Sequence, residues 1–163
     1  MRRPAWGAVA LMAAGMAAPI RARDTLGMFD TWGAFRDAAP RRCFAIATPV
    51  DPSTGSWRPF AAIGHWPDRR VRGQFHARLS RERRRDADVI LTIGDRRWRL
   101  LAGRYDAWGP TPRHDAFILA KIRAARSMSL SSVDTKGRPF ADTYRLKGAA
   151  TAMDAAALGC VRR

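Results

Sequence analysis

The stretch Val71-Arg-Gly-Gln-Phe-His-Ala-Arg-Leu-Ser80 alternates without interruption. Val71, Gly73, Phe75, Ala77 and Leu79 fall on one side, and Arg72, Gln74, His76, Arg78 and Ser80 on the other. Successive side chains of a strand point to opposite faces, so this pattern is a half-buried antiparallel strand with one wet face. The next segments repeat the theme. Ser80-Arg-Glu-Arg-Arg-Arg-Asp86 is the densest charge run of the chain and reads as a solvated hairpin loop. Asp88 to Ile93 is a Val/Ile/Leu strand, Gly94-Asp95 is a two-residue turn suited to a tight hairpin, and Arg96 to Ala102 is the return strand. Trp98 and Leu100 share one face of that return strand, with Arg97 and Arg99 on the other.

Upstream, Cys43 to Val50 reads as a short apolar strand stopped by Pro49 and the turn-rich Asp51-Pro-Ser-Thr-Gly55. Trp57 to Trp66 reads as a second strand, with Pro59 pointing to an edge or a strand start. Residues 23–42 carry Phe29, Trp32 and Phe35 at roughly helical spacing and are expected to cover one end of the core. Downstream, Tyr105 to Pro112 reads as irregular, and Arg113 to Arg126 as the one long helix. Its expected apolar stripe is Phe117, Ile118, Ile122 and Ala125, with Asp115 near the positive end of the helix dipole. Met128 and Leu130 begin another strand, Asp134-Thr-Lys-Gly137 is a turn, and Phe140, Asp142, Tyr144 and Leu146 alternate on the strand after it. Thr151 is the expected cap of a short terminal helix that packs Ala152, Met153, Ala156 and Ala157 towards Cys160. Six to eight short strands with two helices make an α+β class, mainly antiparallel β, as a sandwich or open barrel with one medium helix and a short C-terminal helix.

The start of the chain sets the expected compartment. Met1-Arg-Arg followed by the apolar run Ala8 to Ala18 has the form of a secretory signal, too short to span a bilayer as a stable helix. Cleavage after Ala22 is expected, leaving residues 23–163 as one domain with no transmembrane segment, periplasmic or secreted. In an oxidising compartment the two cysteines, Cys43 and Cys160, are expected to form a disulfide. The formal net charge is +16, of which Arg2, Arg3 and Arg21 contribute three, so the mature chain carries +13. Such a charge attracts polyanions without naming one.

Several of these segments together resemble the invasion-associated locus B family of alphaproteobacterial exported proteins. They are Trp32-Gly-Ala-Phe35, Arg42-Cys43-Phe-Ala-Ile-Ala47 with Pro49, the strand Phe75 to Ser80, the helix-to-strand passage Ile118 to Leu130, and the turn Asp134 to Gly137. The ending Tyr144-Arg-Leu-Lys-Gly148-Ala-Ala-Thr-Ala-Met-Asp-Ala155 is the most specific part. The resemblance implies a periplasmic or surface-associated, β-rich protein that is not an enzyme. Founding members are linked to host-cell invasion, and a general envelope role fits the wider family. No catalytic residues come with it.

The residues themselves offer no catalytic constellation. His65, His76 and His114 are a strand or more apart, no nucleophile-elbow motif surrounds any serine, Glu82 is alone in a basic loop, and no Gly-rich phosphate loop appears. No cofactor or metal is expected. Two surfaces remain as candidates. Arg72, Arg78, Arg81, Arg83, Arg84, Arg85, Arg97 and Arg99 would form a basic patch if they share one sheet face. Of Trp57, Trp66, Trp98 and Trp108, at least two are expected in the core. The expected partner is an anionic envelope component, whether lipid head group, polysaccharide or acidic protein; nucleic acid is rarely met by an exported protein. The competing expectation is a small periplasmic hydrolase or metal-dependent enzyme, which needs a pocket bringing His65 or His76 to a carboxylate.

Overall fold

The computed structural model describes residues 23–51 and 58–161. The expected signal segment 1–22, most of the Asp51–Gly55 turn and Trp57 lie outside the described residues. In chain order the strands β1 (Arg23–Phe29), β2 (Trp32–Asp37), β3 (Arg42–Ala47), β4 (Phe60–Trp66) and β5 (Val71–Arg78) come first. Next come β6 (Ile90–Ile93), β7 (Arg96–Arg99), β8 (Leu101–Ala102), β9 (Asp106–Trp108) and the helix α1 (Pro112–Ala124). The chain closes with β10 (Ser127–Val133), β11 (Pro139–Arg145) and the helix α2 (Ala149–Val161).

The strands form a seven-stranded sheet in the order β1-β2-β3-β4-β5-β9-β8 and a four-stranded sheet in the order β11-β10-β6-β7. Their pairings are antiparallel, as the alternation at Val71–Ser80 requires. One buried cluster joins both sheets and both helices: Trp32, Ile63 and Phe75 from the large sheet, Leu91, Leu130 and Tyr144 from the small one, Ile118 and Ile122 from α1, Met153 from α2. The sheets are also pinned directly, because the Trp32 indole N–H donates to the carbonyl of Arg145 at 2.8 Å. The mainly antiparallel α+β class expected from the sequence is what the chain adopts, with eleven strands instead of six to eight.

The extra strands come from three places. Residues 23–42 form the β1–β2 hairpin, paired from Arg23↔Asp37 to Phe29↔Trp32 with a bulge between Thr25 and Gly27, and with Asp30 in the left-handed region at φ 56°. The near-helical spacing of Phe29, Trp32 and Phe35 is produced by a turn: Trp32 enters the core while Phe35 faces the other way. The return strand 96–102 is not one strand in one sheet. It leaves the small sheet at Leu100 and enters the large sheet as β8, so it turns the corner between them. The segment 105–112, expected to be irregular, contributes β9.

The helices need smaller corrections. α1 starts at Pro112, capped by Thr111, whose hydroxyl oxygen accepts the His114 N–H at 3.3 Å. Phe117 is 53% exposed and leaves the buried stripe to Ile118 and Ile122. α2 starts two residues before Thr151, directly after Gly148. That glycine has φ 85°, and a side chain there would collide with the carbonyl oxygen of Phe29; only glycine lets the helix begin so close to the first hairpin. α2 then runs along the inner face of β1–β4, and α1 packs beside β5. Cys43 of β3 and Cys160 of α2 form the expected disulfide, their Cα atoms 5.6 Å apart and 117 residues apart in sequence.

Candidate ligand-binding face

Both helices and the small sheet pack on the inner face of the large sheet, the face of Cys43, Ala45, Ile63 and Phe75. Its outer face carries Phe44 and Ile46 from β3, Phe60, Ala62, Gly64 and Trp66 from β4, and Gln74, His76 and Arg78 from β5. The residues Arg23, Arg42, Phe44, Ile46, Phe60, Ala62, Gly64, Trp66, His76 and Arg78 line a hollow of about 340 Å³ on this face. Its floor is aromatic and its rim is cationic.

The floor is built by ring stacking and by one glycine. Phe35 and Phe44 lie 5.7 Å apart, His76 stacks on Trp108 at 5.2 Å, and Phe60 meets His76 edge-on at 5.1 Å. Trp66 folds its ring over Gly64, where any Cβ would run into the ring, so the indole lies flat on the sheet. The rim follows from arginine chemistry. The guanidinium groups of Arg23 and Arg42 sit 5.1 Å and 5.0 Å from the Phe44 ring, and that of Arg78 sits 5.5 Å from Phe60. This cover explains why Phe44 is only 8% exposed on a face that no other element of the described residues covers. Asp37 accepts from Arg23 at 2.8 Å and from Arg42 at 2.7 Å. Those two guanidiniums, Arg23 first, hold its carboxyl below the usual range against the opposing effect of burial. Asp106 lies 3.0 Å from His76 Nε2 and 3.4 Å from Arg78 Nε. Three arginines therefore face two carboxylates, and the hollow keeps an excess of positive charge.

Burial holds His76 below the ordinary imidazole range, with Asp106 pulling the other way. His65 is lowered chiefly by burial and further by Arg72, and its Nε2 is buried without a partner. Both therefore take up a proton less readily folded than unfolded. Their contribution to stability is complete above the unfolded value, about 6.5, and is lost as pH falls through the depressed folded values. Asp115 and Asp142, both raised by burial, act in the opposite sense at lower pH. The histidine share is thus read as a difference. The stability gap between the wild type and a His65→Gln/His76→Gln variant should shift against the wild type between about pH 7.5 and about pH 5 in urea titrations. A gap independent of pH contradicts it.

The expected arginine patch does not assemble on one face. Arg78 lies on the outer face of β5 and reaches the hollow, whereas Arg72 stands in the bulge of β5 opposite His65. Arg81 pairs with Asp134 at 3.5 Å beside Phe140. Arg83 turns inward and donates to backbone carbonyls. Arg84 pairs with Asp86 at 2.6 Å, and Arg85 lines a polar surface cleft with Arg84, Glu82, Arg104 and Thr135. Arg97 and Arg99 lie on β7 at the edge of the small sheet, Arg99 pairing with Asp88 at 2.8 Å. Among the tryptophans, Trp66, Trp98 and Trp108 are all half-buried, contrary to expectation, and the fully buried one is Trp32. Trp32 takes the core position because it faces inward on β2, between β1 and β3 of the large sheet. Sequence reasoning missed Arg23, Arg42, Phe44 and Phe60. The signal was present in Cys43–Ala47, which is apolar on both faces in a sheet with only one covered face.

Of the groups an enzyme would need, His76 does meet the carboxylate of Asp106. Among the described residues, no serine, threonine or cysteine lines the hollow beside them. No group of three or more His, Cys, Asp or Glu able to hold a metal occurs among the described residues. Comparison with known proteins finds no matching family model, no matching curated protein and no matching solved structure.

Proposed function

We propose that this chain is an exported, non-enzymatic binding domain of the cell envelope and that the outer face of its large sheet holds an acidic polysaccharide. The observation that carries the proposal is an aromatic floor beneath an arginine rim, uncovered by any other element of the described residues. Sugar rings offer flat C–H faces to Trp66 and Phe60, and uronic carboxylates accept the planar fork of Arg23, Arg42 or Arg78. The floor is recessed below the guanidiniums, which suits a flat ring better than a lipid surface. The Cys43–Cys160 disulfide supports an oxidising compartment, in line with a signal at residues 1–22. No helix among the described residues is long and apolar enough to cross a membrane. The resemblance to the invasion-associated locus B family supports the same envelope role, without requiring contact with a host cell. The hydrolase alternative draws on His76 and Asp106, and binding accounts for the site better because their neighbours among the described residues are rings and arginines.

Titration calorimetry with polygalacturonate and with uncharged dextran tests the proposal. Polygalacturonate should bind, more weakly as salt rises, and dextran should not. Arg42→Ala/Arg78→Ala should weaken binding at least about tenfold, roughly 1.4 kcal/mol. Equal binding of both polymers, or an unaffected double variant, overturns the proposal.

A further inference from the structure

A second surface lies on the small sheet, away from the hollow. Arg96, Arg97 and Trp98 of β7 and Phe117, Ala120, Lys121 and Ala124 of α1 line a groove of about 570 Å³. The α1 residues recur at helical spacing and form a second apolar stripe, opposite the buried one of Ile118 and Ile122. Trp98 faces that stripe while its other side packs on the core.

β7 is an edge strand, and the hairpin register fixes which of its backbone groups are open. The ladder pairs Ile93↔Arg96, Thr92↔Arg97, Leu91↔Trp98 and Ile90↔Arg99, and beyond it the Leu100 N–H donates to Val89 O at 2.9 Å. Hydrogen-bonded and non-hydrogen-bonded pairs alternate in an antiparallel ladder. Arg96, Trp98 and Leu100 therefore turn their backbone groups towards β6, and Arg97 and Arg99 turn theirs to the open edge. Further along the same side, β9 pairs with β8, and then the chain bends away at Gly109, whose N–H reaches Phe75 O. The groove between β7 and α1 forms a slot beside this open edge.

We infer that this slot receives an extended acidic segment of a partner protein, which adds to β7 as a fifth strand and sets an apolar side chain between Trp98 and Phe117. Main-chain bonds to Arg97 and Arg99 supply the pairing, as in other cases of strand addition. Charge selects the occupant. Arg96, Arg97, Arg99 and Lys121 surround the slot and Arg113 lies over the Phe117 ring, against Asp95 and Asp88. Arg97 has no acidic partner among the described residues. The same arginines oppose pairing of β7 with a second copy of itself, since like charges then stand across the new ladder.

Fluorescence anisotropy with a labelled heptapeptide of alternating Asp and Val, and with its Lys-for-Asp counterpart, tests the inference. The acidic peptide should bind and the basic one should not. Arg97→Pro removes an N–H that serves only the open edge, so the hairpin keeps its own bonds while binding falls at least about tenfold. Ala120→Glu, at an exposed position of α1, should repel the acidic peptide to a similar extent without touching β7 and leave polygalacturonate binding unchanged. Amide exchange at Arg97 and Arg99 should slow on binding. Failure of the acidic peptide to bind, binding indifferent to Ala120→Glu, or a β7-mediated dimer in sedimentation would each overturn the inference.

Discussion

Reducing the Cys43–Cys160 bond should cost about 4 to 5 kcal/mol of unfolding free energy, the expectation for opening a loop of this length in the unfolded chain. The bond spans 117 residues of sequence, so it encloses β3 through α2 and removes much of the unfolded chain's freedom. A domain of this size has a net stability of about 5 to 15 kcal/mol, so the loss is a large share of the whole. The folded state has little to replace it with. α2 meets the sheet through Ala149, Ala152, Met153, Ala156 and Gly159, and only Met153 among these buries a large side chain. A helix with so small an apolar face depends on its covalent tie to β3 to remain docked. Urea titration of oxidised and reduced protein measures the effect, with Cys43→Ala/Cys160→Ala as the irreversible counterpart. An unchanged midpoint would mean that α2 is held by packing alone. A large shift also gives the compartment a physical sense, since the chain reaches full stability only where the bond can form.

Much of this architecture is legible in the residues, and the parts that are not share a cause. Val71–Ser80 announces its strand because polarity changes at every step, and the large sheet keeps that division from Gln74 to Arg78, while a bulge before Gln74 turns Val71 to the side of Trp66. Asp134-Thr-Lys-Gly137 announces its turn through Gly137, which adopts φ 77°. Asp134 accepts the backbone N–H groups of Lys136 and Arg138 at 2.9 Å, and these bonds, that from Arg138 first, draw its carboxyl down to about 2. Phe29, Trp32 and Phe35 mislead because periodicity does not distinguish a helix from two strands joined by a tight turn when both place three aromatics at similar intervals. The candidate ligand-binding face was hidden for another reason. Phe44 and Ile46 look like core residues, and only the placement of the other described elements on the opposite face sets them apart from the main core. The arginines were the least legible, because a side chain that ends in five donors can face solvent, a carboxylate, a ring or a set of carbonyls with equal chemical sense.

Arg83 is the clearest instance, and its substitution is the second large effect expected. It sits in the run Ser80–Asp86, which the sequence presents as a solvated loop. The structure turns its guanidinium inward, where Nε donates to Gly103 O, Nη1 to the carbonyls of Arg84, Arg85 and Ala87, and Nη2 to Ala102 O, at 2.5 to 3.2 Å. The backbone around it is equally committed. The Arg83 N–H donates to Arg104 O, the Arg84 N–H to Val133 O, and the Thr135 N–H to Glu82 O. One side chain thus fastens the loop after β5 to the β8–β9 corner, and its backbone fastens both to the β10–β11 turn. Arg83→Ala should cost about 3 to 5 kcal/mol, because it leaves several carbonyls without donors in a part-buried setting. Arg83→Lys should recover only part of that, since an ammonium has three donors and no planar fork to reach five oxygens. Arg84→Ala and Arg85→Ala, whose side chains face outward in the same run, should stay within about 0.5 kcal/mol of the parent. Urea midpoints for the four variants decide the matter. If Arg83→Ala matches Arg84→Ala, the inward guanidinium contributes nothing net and the corner is held by its backbone bonds. The expected steep order, Ala below Lys below parent at this one position, would instead separate a structural arginine from the arginines that rim the hollow of the outer sheet face.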